Sequence, residues 1–216
     1  MADLTQNRPK PLIPVAGRSL LDHALKIAQT PVVSRKVVNL HYLGEQIAEH
    51  LKGRDVALSW ERDLILETGG GLRLALPLLG PGPVLVLNCD AVWTGRNPLE
   101  ELAEAWDGTR MDALVLMVPL TKAIGHSGTG DFLRDADGRI SRAAGRPGPI
   151  YVGAQILNPA PLTDIPDQVF SLNVLWDRLI AKGRAYGILH DGQWCDVGRP
   201  EGIALAEAML ARSGDV

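Results

Sequence analysis

Three charged residues stand where chemistry could use them. Lys10 sits between Pro9 and Pro11 in the stretch Asn7 to Gly17, with Pro14 close behind. Proline fixes its own φ and pushes the residue before it towards extended backbone. The segment therefore offers one cation on a stiff frame. It is either a solvated loop lysine or a cation aimed at a fixed anion. Asp90 follows the apolar run "PVLVLN", and Asp196 lies in "WCDVGRPEG" near the other end of the chain. One aspartate after a strand often does no more than cap a turn. Two of them suggest a Mg²⁺ pair, because this ion takes one or two protein carboxylates together with substrate phosphates. Cys89 and Cys195 immediately precede these aspartates. A zinc site of mixed Cys and Asp ligands is the alternative. Neighbours on an extended chain point to opposite faces, however, so the cysteines read better as small buried residues.

A second constellation is "ERDLILETGGGLRLALP", in which Glu67 and Thr68 lead into Gly69, Gly70 and Gly71. Three glycines opening a helix let backbone N–H groups approach a ligand with no Cβ in the way. Their loss of chain entropy on ordering exceeds what a plain turn requires. The spacing fits neither the phosphate-binding loop of ATPases nor the dinucleotide fingerprint, which leaves a flat group such as a base as the expected neighbour. "GHSGT" (Gly125 to Thr129) comes near a nucleophile elbow, and His190-Asp191 is the one fragment that resembles part of a catalytic triad. The elbow needs a strand, a sharp turn at the serine and then a helix. Here Thr129 replaces the last glycine and a hairpin follows, so the segment reads as a flexible loop facing substrate.

The elements around these residues alternate. Helices are expected at Ser19 to Gln29 with Ser19 as cap, at Tyr42 to Gly53, from Leu72 to Leu79 with a stop near Pro77, at Pro98 to Trp106, at Ser171 to Lys182 and at Arg199 to Arg212. Strands are expected at "KVVNLH", "VALSW", "PVLVLN", "DALVLMV", "YVGAQIL" and "AYGILH", with a hairpin turning at Asp137-Gly138. This order predicts a single α/β domain with a mostly parallel sheet flanked by helices. In such sheets ligands lie beyond the carboxyl ends of the strands, which is where Asp90 falls. At 216 residues the chain is long enough for one sizeable core. A formal net charge of −3 with no basic block argues against a nucleic-acid partner. No apolar run approaches membrane-spanning length and the first residues lack a secretory core. Two cysteines make no disulfide framework, so the expected setting is cytoplasmic.

Together, "RPKPLIPVAGRSLLDHAL", "NLHYLGEQIAEHL", "ERDLILETGGGLRLALPLL", "VLNCDAVW", "MDALVLMVP", "GDF", "FSLNVLWDRLI" and "DGQWCDVGRPEG" resemble the sugar-phosphate nucleotidyltransferases. Within them the likeness is greatest to the N-acetylmuramate 1-phosphate uridylyltransferase group. The resemblance implies a glycosyltransferase type A-like nucleotide-binding domain. It also implies transfer of a nucleotidyl group, with UTP favoured as donor, to a sugar 1-phosphate. On that basis Lys10 would contact phosphates, and Asp90 and Asp196 would hold Mg²⁺. Glu67, Thr68, Gly69, Gly70 and Gly71 would line the base and ribose pocket, with Asn88 beside the metal aspartate. Asp131, Gly153 and Asn173 would face the sugar, whereas Trp176, three residues on from Asn173, reads as core. Members of the family open with a strand and a glycine-rich phosphate loop of the form L-A-A-G-x-G-x-R, ahead of the part that "MADLTQNRPKP" matches. The expectation is thus a domain over residues 1–216 that lacks this strand and loop, with Met1 an internal methionine of a longer frame. A non-catalytic sugar-nucleotide binding module is the alternative.

Overall fold

The computed structural model describes residues 2–214. After a short helix, α1 (Ala2–Thr5), the chain makes one 3₁₀ turn at Lys10–Leu12. Lys10 is therefore turned and not extended. The amides of Leu12 and Ile13 bond back to the carbonyls of Pro9 and Lys10, and these two bonds outweigh the bias set by Pro11. A hairpin of β1 (Pro14–Val15) and β2 (Arg18–Ser19) turns through Ala16 and Gly17, both at positive φ. Ser19 caps α2 (Leu20–Ile27) by accepting from the Asp22 amide. Then come β3 (Val37–Leu40), α3 (Gly44–His50) and β4 (Ala57–Trp60), with β3 and β4 parallel.

Helix α4 (Glu67–Leu79) starts five residues earlier than the sequence suggests and runs through Pro77. The three glycines form its first turns. The amides of Gly69 and Gly70 both donate to the carbonyl of Phe170, so a distant segment supplies the bonds that stabilise this glycine-rich start. There follow β5 (Val84–Leu87), β6 (Ala91–Trp93), α5 (Pro98–Ala105), β7 (Ala113–Val118) and β8 (Ala123–Ile124). The antiparallel hairpin of β9 (Phe132–Arg134) and β10 (Ile140–Arg142) leads into β11 (Ile150–Leu157). The chain then forms α6 (Leu172–Ala181), β12 (Ala185–Leu189), β13 (Trp194–Asp196) and α7 (Pro200–Ser213).

The central sheet has the order β12-β7-β11-β5. The α/β architecture is the expected one, and its sheet is mixed: β12 runs parallel to β7, while β11 is antiparallel to both β7 and β5. β11 arrives from the β9–β10 hairpin and not through a helical crossover, and that lets it reverse. All six residues of β7 are buried. Val115 and Met117 pack towards α6 with Leu175, Trp176 and Phe132, while Leu114 and Leu116 pack towards α5 with Leu99 and Leu102. A third cluster joins α7 to β13 through Met209, Leu210 and Cys195.

Among the described residues, β3 pairs only with β4, and β5 pairs only with β11. Both strands line one cleft of about 690 Å³, with Val37 and Val38 on one side and Val84, Leu85, Val86 and Leu87 on the other. Among the described residues, two strand edges with apolar side chains thus border a common gap.

Gly69 shows how tightly α4 is seated. A Cβ there would collide with the ring of Phe170 and lie 2.8 Å from its carbonyl oxygen. Gly69→Ala is expected to lower stability by about 1–3 kcal/mol, the range for overpacking a filled site, and a thermal melt reads this directly.

Candidate active site

Asn88, Cys89 and Asp90 leave the end of β5 in sequence order. Their path is fixed by β11, where the Asn88 amide donates to the Gly153 carbonyl at 2.7 Å. Gly153 has φ +78°, and a Cβ on it would sit 2.8 Å from the Asn88 Cβ. Only glycine allows the two strands to approach this closely at that backbone angle. Gly153 thus shapes the strand end and has no side chain to offer a sugar.

Past Asn88 the chain turns so that Lys10 Nζ and Asp90 Oδ2 form an ion pair at 2.9 Å. Both residues keep part of their surface open to solvent, and both line the cleft with Asn88 and Cys89. Asp196 comes from the far end of the chain. In the antiparallel β6–β13 ladder its backbone partner is Ala91, and the amide of Val197 donates to the carbonyl of Asp90 at 2.9 Å. The ladder therefore brings the backbones of the two aspartates to neighbouring positions. Asp196 Oδ1 accepts from the Gly198 amide at 2.7 Å. Each carboxylate has one oxygen engaged by the protein, and among the described residues no hydrogen bond takes the other. Two hard oxygen donors, each with a lone oxygen to offer, fit a divalent cation that completes its shell with water and phosphate. The cysteines do not fit such a role. Burial pushes the Cys89 thiol up to about 11, and the charge of Asp90 acts the same way. Burial likewise pushes Cys195 up to about 11. Both therefore stay protonated at neutral pH. Cys195 is buried in the α7 core, whereas Cys89 does line the cleft.

Glu67, Thr68 and Gly71 also line the cleft. Glu67 is held at φ +58° where α4 begins, and Thr68 Oγ1 accepts from the Leu172 amide. Gly69 and Gly70 face the segment Gln168 to Phe170 instead, and a Cβ on Gly70 would meet the Gln168 carbonyl. Helix seating accounts for these two glycines without a base. Asp131 and Asn173 do not line the cleft. Asp131 Oδ2 accepts from the Tyr151 amide at 2.8 Å, and Asn173 bonds the Ser171 hydroxyl. Trp176 is core, at 7% exposure. Asn39 and Glu61 are among the cleft residues that the sequence does not single out. Asn39 Nδ2 donates to the Gly71 carbonyl at 2.8 Å, and Glu61 Oε2 accepts from the Leu66 amide. The polar Asn39 within "VVNL" was the available signal.

The arrangement does not supply a hydrolase triad. His190 is buried, with its ring nitrogens on Glu101 Oε2 and the Thr94 carbonyl. Asp191 pairs with Lys122, and the Ser127 hydroxyl accepts from Arg199.

Residues 5–127 match the family model of the MobA-like NTP transferase domain. The chain belongs to this family. Members transfer a nucleotidyl group, and so does this protein. It is 41% identical over 224 residues to N-acetylmuramate alpha-1-phosphate uridylyltransferase of Caulobacter vibrioides, covering 99% of this chain and 93% of that protein. It is 38% identical over 135 residues to the bifunctional protein GlmU of Cupriavidus pinatubonensis, covering 62% of this chain and 28% of that protein. Among solved structures, HddC of Yersinia pseudotuberculosis complexed with GMP-PN aligns with a TM-score of 0.75 at 21% identity, over 93% of this chain and 89% of that one. A putative glucose-1-phosphate thymidylyltransferase of Bacillus anthracis aligns with a TM-score of 0.75 at 14% identity, over 98% and 90%. The two structures share the fold.

A half-exposed ion pair contributes about 0–1 kcal/mol. Asp90→Asn should therefore shift the melting temperature by no more than about 4 °C, while turnover falls at least about 100-fold. A large loss of stability with turnover retained would make the pair a structural contact.

Proposed function

We propose that this nucleotidyltransferase moves a uridylyl group from UTP to a sugar 1-phosphate, giving a UDP-sugar and pyrophosphate. The observation that carries this reading is the Lys10–Asp90 pair at the end of β5, with Asp196 delivered beside it by the β6–β13 ladder. The uridylyltransferase with 41% identity along nearly the whole chain supports the choice of UTP and of a sugar related to N-acetylmuramate.

The chemistry asks for cations and positioning. An oxygen of the sugar phosphate attacks the α-phosphorus of UTP, a new P–O bond forms, and the bond to the β-phosphate oxygen breaks to release pyrophosphate. The nucleophile is already an anion, so no general base is required. The barrier lies in bringing two anions together in line. Lys10 neutralises charge at the α-phosphate from a position set by its proline-flanked turn. Asp90 and Asp196 would hold Mg²⁺, which supplies charge neutralisation and orients the phosphates when bound. Glu67, Thr68 and Gly71 lie where the cleft can take the base and ribose. A cytoplasmic setting agrees with the two free thiols and with UTP as donor.

The gap between β3 and β5 belongs to the same reading. Its two unpaired strand edges and apolar lining suit a β-strand. A strand and glycine-rich loop of the family's kind would fit this gap. Fusing an apolar strand and a glycine-rich loop ahead of residue 1 should raise both the melting temperature and UTP affinity. Unchanged values would return the gap to solvent or ligand.

The decisive assay is pyrophosphate release from each nucleoside triphosphate against a panel of sugar 1-phosphates, run on the fused and unfused forms. UTP with an N-acetylated sugar 1-phosphate should give the highest kcat/KM, dependent on added Mg²⁺. Release that ignores the sugar phosphate would point to hydrolysis and sink the proposal. Lys10→Ala should lower kcat about 100-fold with the KM for UTP within about threefold, since a charge that tracks the transition state acts on rate.

A further inference from the structure

His190 and Glu101 are buried and take no part in the site described above. The His190 ring has both nitrogens engaged. Nε2 lies 2.9 Å from the Thr94 carbonyl oxygen, and Nδ1 lies 2.5 Å from Glu101 Oε2. A carbonyl can only accept, so Nε2 carries a hydrogen and donates it. One further hydrogen lies between Nδ1 and Oε2, whichever of the two atoms carries it. The histidine therefore ties the backbone of Thr94, just past the end of β6, to a side chain of α5.

Thr94 is gripped by the segment after His190 as well. Its amide donates to the Gln193 carbonyl and its hydroxyl oxygen accepts from the Gln193 amide, both at 3.0 Å. Gly192 lies so close that a Cβ on it would strike the Thr94 carbonyl. Residues 190 to 193 thus form a corner closed on Thr94. The rest of the fold holds this corner in place. The His190 amide donates to the Met117 carbonyl of β7, and Lys122 Nζ donates to the Asp191 carbonyl. β13 starts directly after the corner, with Trp194 opposite Trp93 and Asp196 opposite Ala91. A ladder of so few pairs has little to fix its own register. Yet register decides the face, because a slip of one residue sends every side chain of a strand to the other side. Cys195 packs into the α7 core with Met209 and Leu210. A slip would turn Asp196 towards that core and move it from its place opposite Ala91.

We propose that His190 is a positioning residue for the metal site: by tying Thr94 to Glu101 it fixes the register of β13, and so the place of Asp196 beside Asp90. This rests on the reading of Asp90 and Asp196 as carboxylates for a divalent cation. The competing account is that the His190–Glu101 pair merely fills the core, with register set by the packing of Trp194 and Val197.

The test titrates Mn²⁺ into the chain without nucleotide, with electron paramagnetic resonance reporting the free ion. The double variant His190→Phe/Glu101→Leu replaces the pair by apolar groups of similar size. Such replacements of buried ion pairs are often neutral, so the melting temperature should stay within about 4 °C. The Mn²⁺ dissociation constant should nevertheless rise about 10-fold, the low end for residues that act through a ligand. Glu101→Gln keeps both hydrogen bonds, since its amide donates to Nδ1 while Nε2 still donates to Thr94, and its dissociation constant should stay within about threefold of wild type. An unchanged constant in the folded double variant, or an equal rise in Glu101→Gln, overturns the assignment. If the double variant does not fold, Thr94→Val poses the same question from the other side of the corner, by removing the bond from the Gln193 amide. A rise of about 10-fold there upholds the proposal, and an unchanged value overturns it. Asp90→Asn separates the two readings. Mn²⁺ binding by the wild-type chain that does not depend on Asp90 removes both, whereas Asp90-dependent binding with an indifferent double variant removes this one alone.

Discussion

The site depends on one hydrogen bond, from the Asn88 amide to the Gly153 carbonyl. It closes the β5–β11 ladder at the point where β5 must stop. Had the ladder continued, Cys89 and Asp90 would have been paired into the sheet and the carboxylate could not turn towards Lys10. The bond is possible because Gly153 takes φ +78° and has no Cβ to strike Asn88. The same irregularity shifts the β11–β7 register between Tyr151 and Gln155. Bulges of this kind re-aim side chains next to active sites. Here the result is that Asp90 leaves the regular sheet, while Tyr151 stays paired with Met117 of β7.

A second ordering element is the β6–β13 ladder. It is short, but it is buried on both sides by Trp93, Trp194 and Val92. Helix α7 presses Gly202 against the Asp196 carbonyl, so Asp196 is fixed through its backbone while its side chain stays available. Buried charge elsewhere is handled differently. His190 and Glu101 pair in the core with their polar atoms used internally. The half-open Lys10–Asp90 pair therefore stands out by its surroundings and not by being an ion pair.

Local features of the chain were legible where local physics decides. Ser19 capping α2, the continuous apolar run of β7 and the aspartate following β5 all follow from caps, periodicity and strand ends. What depended on distant partners was hidden. Three glycines read as a ligand turn, because nothing in "ETGGG" reveals that the Phe170 carbonyl will receive two of their amides. Lys10 read as extended, because the closing bonds to Leu12 and Ile13 offset the proline bias. Asp131 read as a sugar contact, yet the structure engages it on the Tyr151 amide, from a strand whose reversal no local pattern signals. Lys10, Asp90 and Asp196 were singled out by residue type and context. Their nearness came from ladders that join segments far apart in sequence.

The β6–β13 ladder also governs when the site can exist. Asp196 belongs to one of the last strands of the chain, and its partner Ala91 lies before the middle. Contacts of such wide sequence separation form late, because closing the intervening loop must come first. On a ribosome, Lys10, Asp90 and Gly153 are all made before Asp196, so the second carboxylate arrives only after nearly all of the chain has been made. Assembly of the pair of carboxylates doubles as a report that the last helix has docked.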